Sequence, residues 1–304
     1  MSATISVISH YIPPTVIDNS YFEKYLDTSE DWIVRRTGIT QRRFYLDGPT
    51  SEMIIPAAKQ CLEKRRIKPK EIDCIIVCTV TPDFMFPSTA CIIQDKLECK
   101  NAWAFDLSAA CSGFLYGLNT AAAFVEAGLA KKVLLCGADK MTSILNLNDR
   151  AQAVLFGDGA AVCIIEKSDD PKLGIIGSTL HSDGSGGKYL KKFAGGSFLP
   201  TWDKNIKPEE HYIFQDGQPV YKHAVSAMSE AVQVIMKKFK LKNKDLNWLV
   251  PHQANLRIIN AVGERLSMPA DKVIITVDKL GNTTSATIPT ALSIFYEEKK
   301  NNKR

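Results

Sequence analysis

The sequence predicts an α/β protein with a largely parallel sheet, built as two similar halves at about 1–170 and 171–304. Three observations lead there. Aliphatic runs of strand length alternate with segments whose apolar residues recur at helical spacing, the pattern of strands joined by crossover helices. The alternation restarts after Pro171. No strict residue-level repeat accompanies it, so the halves read as variations on one α/β unit rather than as copies.

In the first half, strands are expected at 73–78, 103–107 and 132–136, with helices at 52–65, 88–97 and 113–128 between them. Asp158-Gly159 then opens a further apolar run at 160–165. In the second half, strands are expected at 173–180, 248–250 and 273–277, and helices at 219–239, 254–266 and 286–298. The stretch from 183 to 218 holds Gly184, Gly186, Gly187, Gly195, Gly196 and Gly217 with little periodicity, and reads as a long loop or flap.

Composition narrows the function classes. Hydrophobic residues are 45% and charged residues 23%, which suits a globular chain and neither a disordered nor a membrane protein. Of the net charge of +5, Lys299, Lys300, Lys303 and Arg304 sit in the last six residues, and no basic stripe interleaves with aromatics. Nucleic acid is not an expected partner. The N-terminus lacks a basic n-region and an apolar h-region, so neither a signal peptide nor a membrane span is expected and a cytoplasmic location is. All eight cysteines precede residue 164 with no Cys-x-x-Cys pair and no His at ligand spacing, which predicts reduced thiols without metal.

Chemistry is expected at three strand-to-helix junctions, where α/β sheets collect functional groups at the carboxyl ends of their strands. Cys111 lies in Asp106-Leu107-Ser108-Ala109-Ala110-Cys111-Ser112-Gly113-Phe114, where a hydrophobic run gives way to small residues and a helix. A helix N-terminus there would lower the thiol pKa. His252 follows the run Leu249-Val250-Pro251, and Asn282 follows Gly281 before another helix. Taken singly, each has an ordinary structural reading: a buried small hydrophobe, a hydrogen-bonded histidine, a turn asparagine. Together they supply one nucleophile and two neutral polar groups.

The stretches Asp27-Thr28-Ser29-Glu30-Asp31-Trp32-Ile33-Val34-Arg35-Arg36-Thr37-Gly38-Ile39, Phe86-Pro87-Ser88, Ala109-Ala110-Cys111-Ser112-Gly113-Phe114, Phe156-Gly157-Asp158-Gly159-Ala160, residues 250–257 and Gly281-Asn282-Thr283 resemble the type III β-ketoacyl-acyl-carrier-protein synthases, in family order. These are thiolase-like condensing enzymes. The resemblance implies a thiolase-like fold, with two pseudo-duplicated halves in a layered α-β-α-β-α core, and a Cys111-His252-Asn282 triad. Cys111 would take the acyl group of an acyl-CoA, and His252 and Asn282 would each donate a hydrogen bond to the enolate left when malonyl-acyl carrier protein loses CO₂. No metal or redox cofactor is implied beyond the CoA thioester and phosphopantetheine-carrier substrates.

By position the resemblance also assigns CoA or pantetheine contacts to Thr28, Trp32, Arg36, Arg150, Gly217, Tyr221, Ala254 and Asn255. It assigns carrier-protein docking to Lys222, Gln253, Ala254, Asn255, Leu256 and Arg257, and to Phe86 a place at a homodimer interface bounding the acyl pocket. Trp32 read alone could simply pack, and Lys222 could be a solvated charge. Departures from the family pattern are Ala151, where glycine is frequent, and the flap sequence Gly186-Gly187-Lys188-Tyr189. The chain is also expected to lack the family's closing strand pair. The Gly-rich turn of that pair gives a backbone donor to the acyl carbonyl, and losing one such donor costs on the order of 10²–10³ in rate. Two other readings therefore stand beside the condensing enzyme: an impaired subunit pairing with a complete homologue, and a Cys acyltransferase or thioesterase without decarboxylation.

Overall fold

The computed structural model describes residues 2–170 and 172–301. Strand β1 (Ala3–Tyr11) is followed by an antiparallel ribbon of β2 (Thr15–Asp18) and β3 (Gln41–Phe44), with α1 (Asn19–Glu23) and α2 (Glu30–Thr37) between them. Helix α3 (Thr50–Arg65) leads to β4 (Cys74–Cys78), α4 (Thr89–Lys96), β5 (Trp103–Leu107), α5 (Gly113–Glu126) and β6 (Lys132–Lys140). The short α6 (Arg150–Ala153) precedes β7 (Asp158–Lys167).

Strands β1, β7, β6, β4 and β5 form one sheet in that order. Strand β4 runs parallel to β5 and β6, whereas β7 is antiparallel to both β6 and β1. The sheet is mixed rather than largely parallel. The chain leaves β6 and comes back beside it without a crossover helix, and such a return gives an antiparallel neighbour.

Side chains alternate across this sheet with period two. Ile75, Val77, Leu134, Cys136 and Ala138 face α3 and α4, while Cys74, Ile76, Cys78, Val133 and Leu135 face α5. Each fully buried aliphatic side chain contributes roughly 1.5–3 kcal/mol. A helix–sheet–helix sandwich results, with its carboxyl edge left for the site.

The second half departs from expectation. Its flap carries a 3₁₀ turn, Gly184–Lys188, and a small antiparallel pair, β8 (Leu190–Lys192) and β9 (Ile213–Gln215), held to the first half by Ile213 N–H donating to Ile144 O at 2.9 Å. Helix α7 (Gly217–Phe239) packs on α8 (Leu256–Arg265) through Val225, Ile258 and Val262. Short α9 (Val277–Leu280) and then α10 (Thr287–Asn301) follow.

The expected strands at 173–180, 248–250 and 273–277 form no ladder among the described residues. Leu249 and Val273 make one isolated parallel bridge. Gly174 has φ 141°, outside strand geometry, and Ile175 N–H donates to Ala3 O at 2.8 Å instead of to a second-half strand. The run at 273–277 stops because Gln253 Oε1 accepts the Thr276 and Val277 N–H groups, at 2.8 and 3.1 Å, and turns the chain into α9. The β layer described is therefore the first-half sheet. No helix among the described residues is long and apolar enough to cross a membrane.

Candidate active site

Parallel strands β6, β4 and β5 are neighbours, so their carboxyl ends share one edge of the sheet. Cys111 leaves that edge in a 3₁₀ turn, Ala110–Ser112, just before α5. Ala110 takes φ 46°, an unfavourable value for a residue with a Cβ, to aim the turn. The residue is half-buried. Its thiol is not lowered as the helix N-terminus predicted. Burial pushes it up to about 12, helped by the Asp139 carboxylate and opposed by a backbone hydrogen bond. A cavity of about 490 Å³ opens beside it, lined by Ser108, Ala109, Ser112, Tyr116, His181 and Ser182 among others.

His252 follows the bridged Leu249, and its imidazole is pushed down to about 4 by burial. Burial thus favours the neutral ring at physiological pH. Its Nδ1 lies 2.6 Å from Thr287 Oγ1. Asn282 is buried and bridged to Phe156, with its own N–H on Leu155 O at 2.9 Å and its carbonyl accepting from Gly157 N–H at 3.1 Å. Asn282 Oδ1 accepts the Thr284 N–H at 2.9 Å, which fixes the amide and leaves its NH₂ group as the free end.

A buried carboxylate welds these parts together. Asp139, near the end of β6, accepts from Val80 N–H at 2.8 Å, from the Thr79 and Thr81 hydroxyls at 3.1 Å each, and from Ser285 N–H at 2.9 Å. The Ser285 hydroxyl lies 2.6 Å from Asp139 Oδ2 and 2.7 Å from Cys78 O. Ser285 belongs to the 3₁₀ turn Thr284–Ala286 between Asn282 and α10. Close approach is possible because Gly137 has no side chain: a Cβ there would stand 2.7 Å from Ser285 O. Gly113, at the start of α5, would bring a Cβ within 3.5 Å of Ser285 Cβ. The turns carrying Cys111 and Ser285 thus pack directly on each other.

The residues that the resemblance assigns to ligand contact sort into two groups. Helix α2 is capped by Ser29, which accepts the Trp32 N–H at 3.2 Å, and closed by Gly38 in the left-handed region. Trp32 has the Arg150 guanidinium 4.9 Å and the Arg36 guanidinium 5.7 Å from its ring centroid. Thr28 Oγ1 is buried nearby in sequence with no protein partner. Gly217 opens α7, and Tyr221 on its second turn has Arg257 of α8 5.5 Å from its ring centroid. Lys222 and Arg257 are exposed, and Ala254 packs partly against the α7–α8 cluster. Phe86 is 86% exposed beside Met85 at 81%.

Three of the residues assigned to docking are engaged within the fold. Gln253 is buried, its amide donating to Pro251 O and Ile274 O while its oxygen takes two backbone N–H groups, so no hydrogen-bonding position is left for a carrier. Leu256 turns onto the Ile39, Ile259 and Val277 cluster. Asn255 caps α8, accepting from Arg257 N–H at 2.8 Å and donating to Arg36 O at 3.0 Å. The capping contact explains why these residues follow His252: they shape the turn rather than display it.

The sequence profile of 3-oxoacyl-acyl-carrier-protein (ACP) synthase III matches residues 105–184, and its C-terminal counterpart matches residues 236–304. Cys111 falls in the first match, and His252 and Asn282 in the second. The chain is 47% identical over 296 residues to the β-ketoacyl-acyl-carrier-protein synthase III of Chlorobium luteolum, covering 96% of this chain and 90% of that one. It is 46% identical over 303 residues to that of Chlorobaculum tepidum, covering 99% and 92%. This chain belongs to the 3-oxoacyl-ACP synthase III family. The crystal structure of the Aquifex aeolicus 3-oxoacyl-ACP synthase III superposes with a TM-score of 0.90 at 38% identity, covering 98% of this chain and 92% of that one.

As a 3-oxoacyl-ACP synthase III family member the chain is an acyltransferase-class enzyme with the thiolase-like α/β fold. Three residues that hydrogen-bond around these positions escaped the motif reading: Asp139, Ser285 and Thr287. A carboxylate closing an otherwise apolar strand, and the hydroxyl-rich run Thr283-Thr284-Ser285 with Thr287, were the available signals. Among the described residues no three His, Cys, Asp or Glu side chains come together as a metal-holding group.

Proposed function

We propose that this chain condenses an acyl-CoA primer with malonyl-acyl-carrier protein, with loss of CO₂ and through an acyl-Cys111 intermediate, in fatty acid or related acyl-chain synthesis. The observation that carries this reading is the fixed amide of Asn282, whose NH₂ is its free end, with the segment that follows it in sequence also hydrogen-bonding, through Thr287, a histidine that burial keeps neutral. A donor pair suits an enolate oxygen.

In the first half-reaction the Cys111 sulfur attacks the thioester carbonyl, the carbon–sulfur bond to CoA breaks, and CoA departs carrying the thiol proton. Because burial holds the thiol at about 12, that proton leaves during attack rather than before it. In the second, the malonyl carbon–carbon bond breaks and CO₂ leaves. The electron pair passes into an enolate whose oxygen takes hydrogen bonds from Asn282 Nδ2 and His252 Nε2. The enolate carbon then attacks the acyl carbonyl, the bond to sulfur breaks, and the thiolate regains a proton from solvent. As proposed, the reaction uses no metal or redox cofactor.

Trp32, with its flanking Arg36 and Arg150, suits a nucleotide base and phosphates. Thr28, Gly217, Tyr221 and Ala254 would follow along the pantetheine path. Lys222 and Arg257 are the exposed cations suited to an acidic carrier protein. A homodimer is supported by the exposed Phe86 and Met85 and by β5 lying at the sheet edge. A cytoplasmic location accompanies this reading.

Mass spectrometry after incubation with a panel of acyl-CoA primers is expected to find the acyl mass on the Cys111 peptide, followed by CO₂ release when malonyl-acyl-carrier protein is added. Cys111→Ser should lose the adduct and at least ~10³-fold in turnover. An unmodified Cys111 across the panel would sink the proposal. Acyl-Cys111 that turns over without CO₂ release would point to simple transfer or hydrolysis instead.

A further inference from the structure

The run that carries His252 and the run that leads to Asn282 begin as a parallel pair. Leu249 N–H donates to Lys272 O and Ile274 N–H to Leu249 O, each at 2.9 Å, around the Leu249–Val273 bridge. Bonds of a parallel ladder recur every second residue, so the next two would run from residue 251 to Ile274 O and from Thr276 N–H to Pro251 O. Proline has no N–H to give. In place of both bonds stands the carboxamide of Gln253: its Nε2 donates to Ile274 O at 3.0 Å and to Pro251 O at 2.9 Å, and its Oε1 accepts from Thr276 N–H at 2.8 Å and from Val277 N–H at 3.1 Å. Two donors and two acceptor positions are all used, in a side chain 1% exposed.

We infer that Gln253 is a positioning residue for the reaction proposed above: its carboxamide, wedged into the ladder where Pro251 leaves a gap, sets where His252 stands relative to Asn282. Gln253 acts through its neighbours and touches no reacting atom. On one side the bond to Pro251 O closes a ring of chain around His252, the residue between them. On the other side Gln253 holds Thr276, the N-cap of α9, and Val277, its first residue. At the far end of that single turn Thr276 O accepts Leu280 N–H at 3.1 Å and Val277 O accepts Gly281 N–H at 3.0 Å. Asn282 follows at once. One planar amide therefore separates the chain at His252 from the turn that delivers Asn282, and four hydrogen bonds fix that spacing.

Acyl transfer to Cys111 and decarboxylation of the malonyl group make different demands on this device. All four backbone partners of Gln253 lie in the second half, whereas Cys111 leaves the first-half sheet. Holding the enolate oxygen is the step that needs His252 and Asn282 at a set spacing, and a misplacement of about 1 Å costs on the order of 10²-fold. Gln253→Glu keeps the shape and the acceptor but replaces the NH₂ by an oxygen. Gln253→Met keeps the length and deletes the polar end.

The test follows the two half-reactions separately and counts CO₂ release per acylated Cys111, so that enzyme lost to misfolding drops out. Both variants should release CO₂ from malonyl-acyl-carrier protein more slowly per acylated site, by on the order of 10²-fold. The rate of acyl transfer from acyl-CoA to Cys111 should stay within about twofold, because that site shares no partner with Gln253. Equal slowing of the two steps, as a purely structural role would give, overturns the inference, and so does undiminished CO₂ release by either variant. A second arm needs no substitution and no turnover. In ¹⁵N-glutamine-labelled unmodified enzyme the Gln253 side-chain NH₂ is expected to exchange with solvent far more slowly than exposed glutamine side chains, and an NH₂ that exchanges as they do also overturns the inference. That arm stands if both variants fail to fold. Failure of the reaction itself is seen differently, as no CO₂ release by the unmodified enzyme.

Discussion

All five residues of β4 and nine of the ten in β7 are buried, whereas α7, with 23 residues, buries only Val225 and Ser229. The first half carries Cys111 on a sheet covered on both faces, while the second half brings Tyr221, Lys222 and Arg257 on helices that are largely open to solvent. The difference teaches where rigidity is needed. The proposed nucleophile and enolate donors would have to be held to within a fraction of an ångström, and Asp139 ties the Ser285 turn beside them into the sheet. Handles for a long flexible ligand tolerate more movement.

This contrast can be broken most forcefully at the weld. Asp139→Ala leaves the Thr79 and Thr81 hydroxyls and the Val80 and Ser285 N–H groups without their acceptor, and should cost at least ~3 kcal/mol in urea unfolding along with most of the condensing activity. A stable, active variant would mean that the second half holds the site by itself.

The next effect is in pH. His252 is held at about 4 against an ordinary value of 6.5, so below 6.5 the unfolded chain takes up a proton that the folded chain refuses. Its contribution is full above about 6.5 and drains away as pH falls to 4. Urea unfolding at pH 7, 5.5 and 4 should therefore show the unmodified protein losing ~3 kcal/mol relative to His252→Gln, which cannot titrate there. Parallel behaviour of the two proteins would place His252 in contact with solvent.

The smallest effect sharpens the contrast from the other side. Ile176 is 63% exposed in the second half, so Ile176→Ser should change unfolding free energy by less than ~0.5 kcal/mol. A larger loss would reveal burial of this segment in solution, against a partner or another copy.

Cys111 was placed at the sheet edge by its sequence alone, because it follows the strand at 103–107 and precedes a helix. His252 and Asn282 also follow strand-like runs, but among the described residues those runs form only isolated bridges. The strands at 74–78 and 103–107 were readable because they are short, apolar and bounded. What stayed hidden depends on distant partners. Asp139 draws its donors from Thr79, Val80 and Thr81 and from Ser285, the last 146 residues away, and Thr287 meets His252 across 35 residues. Nothing local marks either contact. The antiparallel place of β1 was missed because its partner, β7, lies at the far end of the first half. The second-half strands were overread because extended propensity does not secure a ladder partner: Gly174 diverts one run, and the buried oxygen of Gln253 ends another.

The hydrogen at Gly137 has one more consequence. Since Ser285 O stands where a methyl would otherwise be, and Asp139 on the same strand holds the Ser285 N–H, the Thr284–Ala286 turn cannot lift away while β6 remains paired. In the language of amide exchange, residues 284–286 are expected to behave as one unit with the central sheet, their N–H groups trading with solvent when it opens. On that expectation the turn between Asn282 and α10 keeps its place for as long as the sheet stays paired.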